Sequence, residues 1–174
     1  IRRDAVGPEV LAHQRTRFLK PLLDDQGLYD ALPANLPLRD VDPQKLRALA
    51  EEFLRISGMA PVALGREEYV VGVTGAGLLR GLLIELLIEE KALPQPSGAL
   101  HLSRLLAPED MAMLAELPVA SATREGVLAA NLAYAGAFLP RARALAARTG
   151  APWPSEMETA ARARLVQALG VTLP

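Results

Sequence analysis

Arg80, Glu85 and Glu89 stand inside the most apolar run of this chain, VVGVTGAGLLRGLLIELLIEE over residues 70–90. Glu85 and Glu89 lie one helical turn apart on one face, and carboxylates so paired can bind a metal ion, orient a hydroxyl or share a proton. Leu82, Ile84, Leu86 and Ile88 surround them, which predicts a partly buried location. The alternative is a solvated face, or charges that pair with other helices. Outside this run His101 is a candidate catalyst, and Arg66 and Arg104 are arginines that could face a phosphate. His101 is more simply a satisfied or solvent-facing histidine, and the two arginines are more simply ion-pair or surface residues.

The glycines of the same run raise two other readings. Gly75, Gly77 and Gly81 resemble a phosphate-cradling turn, but their spacing is G-x-G-x-x-x-G, one residue longer than a dinucleotide fingerprint, and no second strand ending in an acidic residue follows. A membrane span would bury Arg80 and Glu85 at roughly 2.5–3.5 kcal/mol each. A long helix over about residues 66–92 remains, apolar around much of its circumference and therefore expected at the centre of the domain. Gly77 and Gly81 share a face on which a neighbouring helix is expected to approach closely; without such packing, a glycine inside a helix costs about 1 kcal/mol.

Composition narrows the setting. The 174 residues suffice for one ordinary domain and a sizeable core. The absence of cysteine excludes disulfides and thiolate chemistry and fits a cytoplasmic location. His13 and His101 leave little for metal binding. Nineteen basic against twenty acidic residues give a net charge of −1, with no general attraction to nucleic acid or anionic membrane. Aromatic residues make up only 4%, few platforms for stacking bases. The chain begins at Ile1 without a basic-then-apolar leader, so a fragment of a longer parent is expected, and not a secretory precursor.

Helical signals carry most of the chain. Pro8 opens a segment to about Asp25 with Val10, Leu11, Phe18, Leu19 and Leu22 as its apolar stripe, and the prolines at 33 and 37 make a connector after it. Asp42 and Pro43 cap and start the next helix, with Gly58 after Ser57 as its expected stop. That stop sets the expected division, an N-terminal helical segment and connector over 1–58 and a helical bundle over 59–174, the whole read as one compact domain. After the turn at Pro94, Pro96 and Gly98, short helices are predicted from Leu100 to Leu106 and from Pro108. Ser121 is the expected cap of a long segment through Leu145, which Pro140 should kink or split. Ser155 and Glu158 have capping-box spacing before a last helix with Met157, Ala161, Leu165 and Ala168 on one face. Trp153, between two prolines, reads as a hydrophobic plug, and Tyr69 and Tyr134 as core residues with polar tips. The fold class is all-α, a helical bundle around one long central apolar helix.

With REEYVVGVTGAGLLRGLLIELLIEE followed by PSGALHLSRLLAPEDMAMLAELP, residues 60–150 resemble the helical C-terminal domain of nucleotidyltransferases of the DNA polymerase β type, such as the aminoglycoside nucleotidyltransferases. The resemblance lies in a long apolar helix with internal Arg and Glu, a Pro/Gly turn, and a short helix containing His101 and Arg104 before a Leu-Pro break. The catalytic Gly-Ser element and closely spaced aspartates of that family are missing, since neither Asp24–Asp25 nor Asp40–Asp42 follows a Gly-Ser pair. The resemblance therefore implies an accessory, substrate-recognition part. It makes Glu85 the candidate base toward the hydroxyl of a small-molecule acceptor, with Arg80, Glu89, His101 and Arg104 as substrate-binding residues. It places Mg and a nucleoside triphosphate in the catalytic domain of the parent and leaves room for a homodimer. The competing reading is a helical protein-protein interaction module whose glycine-faced helix packs on a partner.

Overall fold

The computed structural model describes Leu22, Asp25, Gly27, residues 38–92 and residues 102–174, with the Arg104 side chain excepted. The chain divides into two compact units, Ile1–Asp40 with Ala92–Ser97, and Val41–Lys91 with Gly98–Pro174. In the first, the Arg39 N–H donates to the Ala92 carbonyl at 2.9 Å, and Leu22, assigned to an apolar stripe by the sequence, is exposed. Apart from Asp25, the rest of the predicted Pro8 helix lies outside the described residues, as do the connector prolines at 33 and 37, His13 and His101.

The second unit is all-helical among the described residues: α1 (Pro43–Gly65), α2 (Tyr69–Glu90), the single turn α3 (Leu102–Leu105), α4 (Pro108–Glu116), α5 (Arg124–Thr149) and α6 (Ser155–Leu169). Asp42 caps α1 as expected, its Oδ1 accepting from the N–H groups of Gln44 at 2.9 Å and Lys45 at 3.2 Å. Gly58 does not end this helix, which continues to Gly65. A Cβ at Gly58 would lie 3.7 Å from that of Ala161 on α6, and burial of Ala60 and Leu64 beyond it outweighs the helix penalty of one glycine. The turn at Arg66–Glu68 then starts α2 three residues later than predicted. Glu67 takes a left-handed φ of 58° there.

α1 packs against α2, α5 and α6, and α2 against α1 and α5. Phe53 of α1 and Phe138 of α5 stack with ring centroids 4.0 Å apart. Although α2 is long and apolar enough to cross a membrane, only part of it is buried: Gly72, Ala76, Leu79, Leu83 and Leu86 recur every three or four residues on the covered side. Val70, Val71 and Leu78 are exposed. The glycine that admits a neighbour is Gly72, where a Cβ would fall 2.9 Å from both Val127 methyls of α5. At Gly77 and Gly81 it would meet nothing within 4 Å.

α5 is capped by Thr123, whose Oγ1 accepts from the Gly126 N–H at 3.0 Å, in place of the expected Ser121. Pro140 does not split it. Pro140 and Gly136 are both exposed, so water can serve the carbonyl that a proline cannot. The capping box on α6 does not form, because Glu158 is taken by Trp153 Nε1 at 2.7 Å, Arg162 Nε at 2.8 Å and the Arg143 guanidinium. Arg143 also covers the Trp153 ring.

Burial opposes ionisation of Glu158, yet the hydrogen bonds from Arg143, Trp153 and Arg162 outweigh it and hold its carboxyl at about 2. Because the folded value is depressed below the ordinary 4.5, its stabilisation is full above pH 4.5 and lost as pH falls toward 2. Glu158→Gln should therefore cost about 1–3 kcal/mol at pH 7, with a thermal-unfolding difference from the parent chain that shrinks below pH 4.5. The packing at Gly72 predicts a contrast measurable by urea denaturation. Gly72→Ala should destabilise by about 1–3 kcal/mol through overpacking, while Gly77→Ala, facing open space, should be neutral or gain up to about 1 kcal/mol.

Candidate functional site

The three charges singled out in the apolar run have separate fates. Arg80 is half-buried and donates from Nη2 to the Leu114 carbonyl at 2.7 Å, near the C-terminal end of α4, where a cation is favoured by the helix dipole. Its guanidinium lies 5.9 Å from the centre of the Tyr134 ring, and Tyr134 is a core residue whose hydroxyl donates to the Pro118 carbonyl at 2.6 Å. Arg80 Nη1 is the one buried side-chain polar atom without a partner among the described residues. Arg80 and Tyr134 thus fasten the end of α4 to α2 and α5.

Glu89 is fully buried. Its Oε1 accepts from the Asp42 N–H at 3.0 Å and its Oε2 lies 3.0 Å from Lys45 Nζ. A glutamate on α2 therefore satisfies the backbone donor at the start of α1, a task usually performed from within a helix's own first turn. Glu85, one turn earlier, is exposed and makes no hydrogen bond or ion pair among the described residues. The expected partly buried carboxylate pair is consequently not present: one member is structural, and the other faces solvent. Neither meets Arg80, and Arg104 is described only as part of the α3 backbone.

Sequence reasoning passed over a charge network beside Glu89. Arg141 of α5 bridges Glu90 at 3.1 Å and Asp110 at 2.8 Å, and Lys91 reaches Asp110 at 3.1 Å. Burial of Asp110 opposes its ionisation, but the hydrogen bond from Lys91 and the Arg141 charge prevail and lower its pKa. These groups neutralise one another and join α2, α4 and α5. No cluster of three or more potential metal ligands occurs among the described residues.

Sequence reasoning also passed over a cavity of about 410 Å³ between the second half of α1, the first half of α2 and the start of α5. Its size and character fall within the range of small-molecule sites. Ile56, Met59, Val62, Val71 and Val127 supply its apolar wall. Ala60 and Ala63 on α1 and Gly75 on α2 make the room, while Gly72 lines it with Val127 packed against it. A Cβ at Gly75 would have Ile56 Cγ2, at 3.9 Å, as its nearest neighbour. Arg66 and Glu68 lie exposed at the rim, and Asn131 of α5 adds a buried amide. Asn131 was visible in the sequence as the polar member of the stripe Val127, Ala130, Tyr134, Ala135 and Phe138, a position where an apolar residue is the rule. None of Arg80, Glu85 or Glu89 lines the cavity.

No known protein family, curated protein or solved structure matches the chain.

The separation of roles gives a direct prediction. Glu89→Gln should lower stability by roughly 1–3 kcal/mol, because it unpairs a buried carboxylate site whose cationic partner remains partly in water. Glu85→Gln should change it by less than about 0.5 kcal/mol. Guanidinium unfolding of the two variants checks both.

Proposed function

We propose that this chain is a recognition domain that holds a small, mostly apolar molecule in the cavity between α1, α2 and α5 and leaves covalent chemistry to another domain of its parent. The observation that carries this reading is the cavity itself. It has apolar walls, a volume within the small-molecule range and a single buried amide among its lining side chains. The substrate-recognition role agrees with the nucleotidyltransferase resemblance, in which the bound molecule is a hydroxyl-bearing acceptor and the parent supplies Mg and the nucleoside triphosphate. The acceptor contact moves, however, from Glu85 and Arg80 to the lining of the cavity.

One observation favours a second reading, a helical interaction module. Val70 and Leu78 are exposed and Gly77 and Gly81 face open space, so the α2 face beside them is available to a partner or a second copy. In that arrangement α2 becomes the central helix of the assembled bundle.

Methyl NMR of the whole chain separates the two. Titration with neutral fragments of about ten non-hydrogen atoms should shift Ile56, Met59, Val71 and Val127 while leaving Leu78 unmoved. Shifts confined to Val70 and Leu78 that grow with protein concentration would instead report self-association and overturn the cavity reading.

A further inference from the structure

Asn131 is 8% exposed and lines the cavity, and its amide is only partly hydrogen-bonded. Its Nδ2 donates to the Val127 carbonyl at 2.8 Å. A carbonyl can only accept, so this bond fixes which end of the amide is nitrogen. The Oδ1 therefore occupies the other branch of the amide, and it accepts no hydrogen bond among the described residues. Unlike the fully buried Arg80 Nη1, this oxygen keeps access to the cavity space, so a ligand seated there can supply its donor in place of water.

The surroundings restrict what the donor can be. Ile56, Met59, Val62, Val71 and Val127 offer nothing to a charge, so an ammonium reaching Asn131 would lose its hydration without a counter-ion. A carboxylate would set its oxygens against Oδ1. The two charged residues of the lining, Arg66 and Glu68, are exposed, of opposite sign and select neither charge. A neutral O–H on an apolar body satisfies every group present.

We propose that the cavity is selective for apolar molecules bearing one neutral hydroxyl, a phenol or alcohol whose O–H donates to Asn131 Oδ1. This rests on the cavity-binding reading above and deepens it by naming the ligand class and the residue that selects it.

The test compares dissociation constants on the full chain for 4-propylphenol, 4-propylanisole and propylbenzene, which share one apolar body and differ in whether they carry a donor. Two variants accompany the parent chain. Asn131→Leu removes the acceptor at similar volume, and Gly75→Leu fills the cavity from a helical position whose nearest neighbour is a side-chain methyl.

The expected result is that the phenol binds about tenfold more tightly than the hydrocarbon or the ether, the increment of one good hydrogen bond. Asn131→Leu should abolish that preference while retaining the hydrocarbon, and Gly75→Leu should lose all three probes. Equal binding of the three, or a phenol preference that survives Asn131→Leu, would overturn hydroxyl selection while leaving a binding cavity. Failure of every probe, or binding undiminished in Gly75→Leu, would overturn the cavity reading and this inference with it.

Discussion

The Glu89 carboxylate has no access to water, and the arrangement of α1 and α2 follows from satisfying it. An ionised carboxylate in apolar surroundings must find donors or give up its charge. Here the donors are the backbone N–H of Asp42 and the Lys45 ammonium, both at the start of α1. Asp42 at the same time caps α1 with its own side chain. One end of the α1–α2 pair is therefore fixed by a cap shared between two helices. The other is closed by the short turn at Arg66–Glu68.

With both ends of the pair set, the side chains facing each other are set as well. At the turn end these include Ala60, Ala63 and Gly75, which cannot fill the space that closure creates. Gly72 lets α5 come close enough for Val127 to sit where a side chain would otherwise be, bringing Asn131 of the same helix to the cavity. A single residue thus tightens the packing and positions the polar group beside the opening. The charges at Arg80, Glu90, Asp110 and Arg141 hold α4 and α5 against α2, away from the cavity lining.

Local chemistry was legible in the sequence and distant packing was not. The Asp42–Pro43 start of α1 could be read because a cap involves only neighbouring residues. The fate of Gly58 depends on Ala161, far along the chain, and the window that suggested a C-terminal stop carried no trace of that contact. Glu85 and Glu89 look alike in sequence, each preceded by Leu-Leu-Ile. The start of α1, lying over one and not the other, decides their burial. In the same way, glycine spacing pointed to Gly77 and Gly81 as packing positions, whereas the close contact forms at Gly72. Asn131 left a readable signal, a polar residue on an apolar helical stripe, but its meaning required the cavity beside it.

Crystals of the whole chain pressurised with xenon give the most direct test that this cavity is a binding site and not a collapsed or water-filled space. Xenon enters apolar cavities that can admit a small ligand. An anomalous peak enclosed by Ile56, Met59, Val71 and Val127 is the predicted result. Xenon sites found only elsewhere on the molecule, with none between α1, α2 and α5, would contradict it.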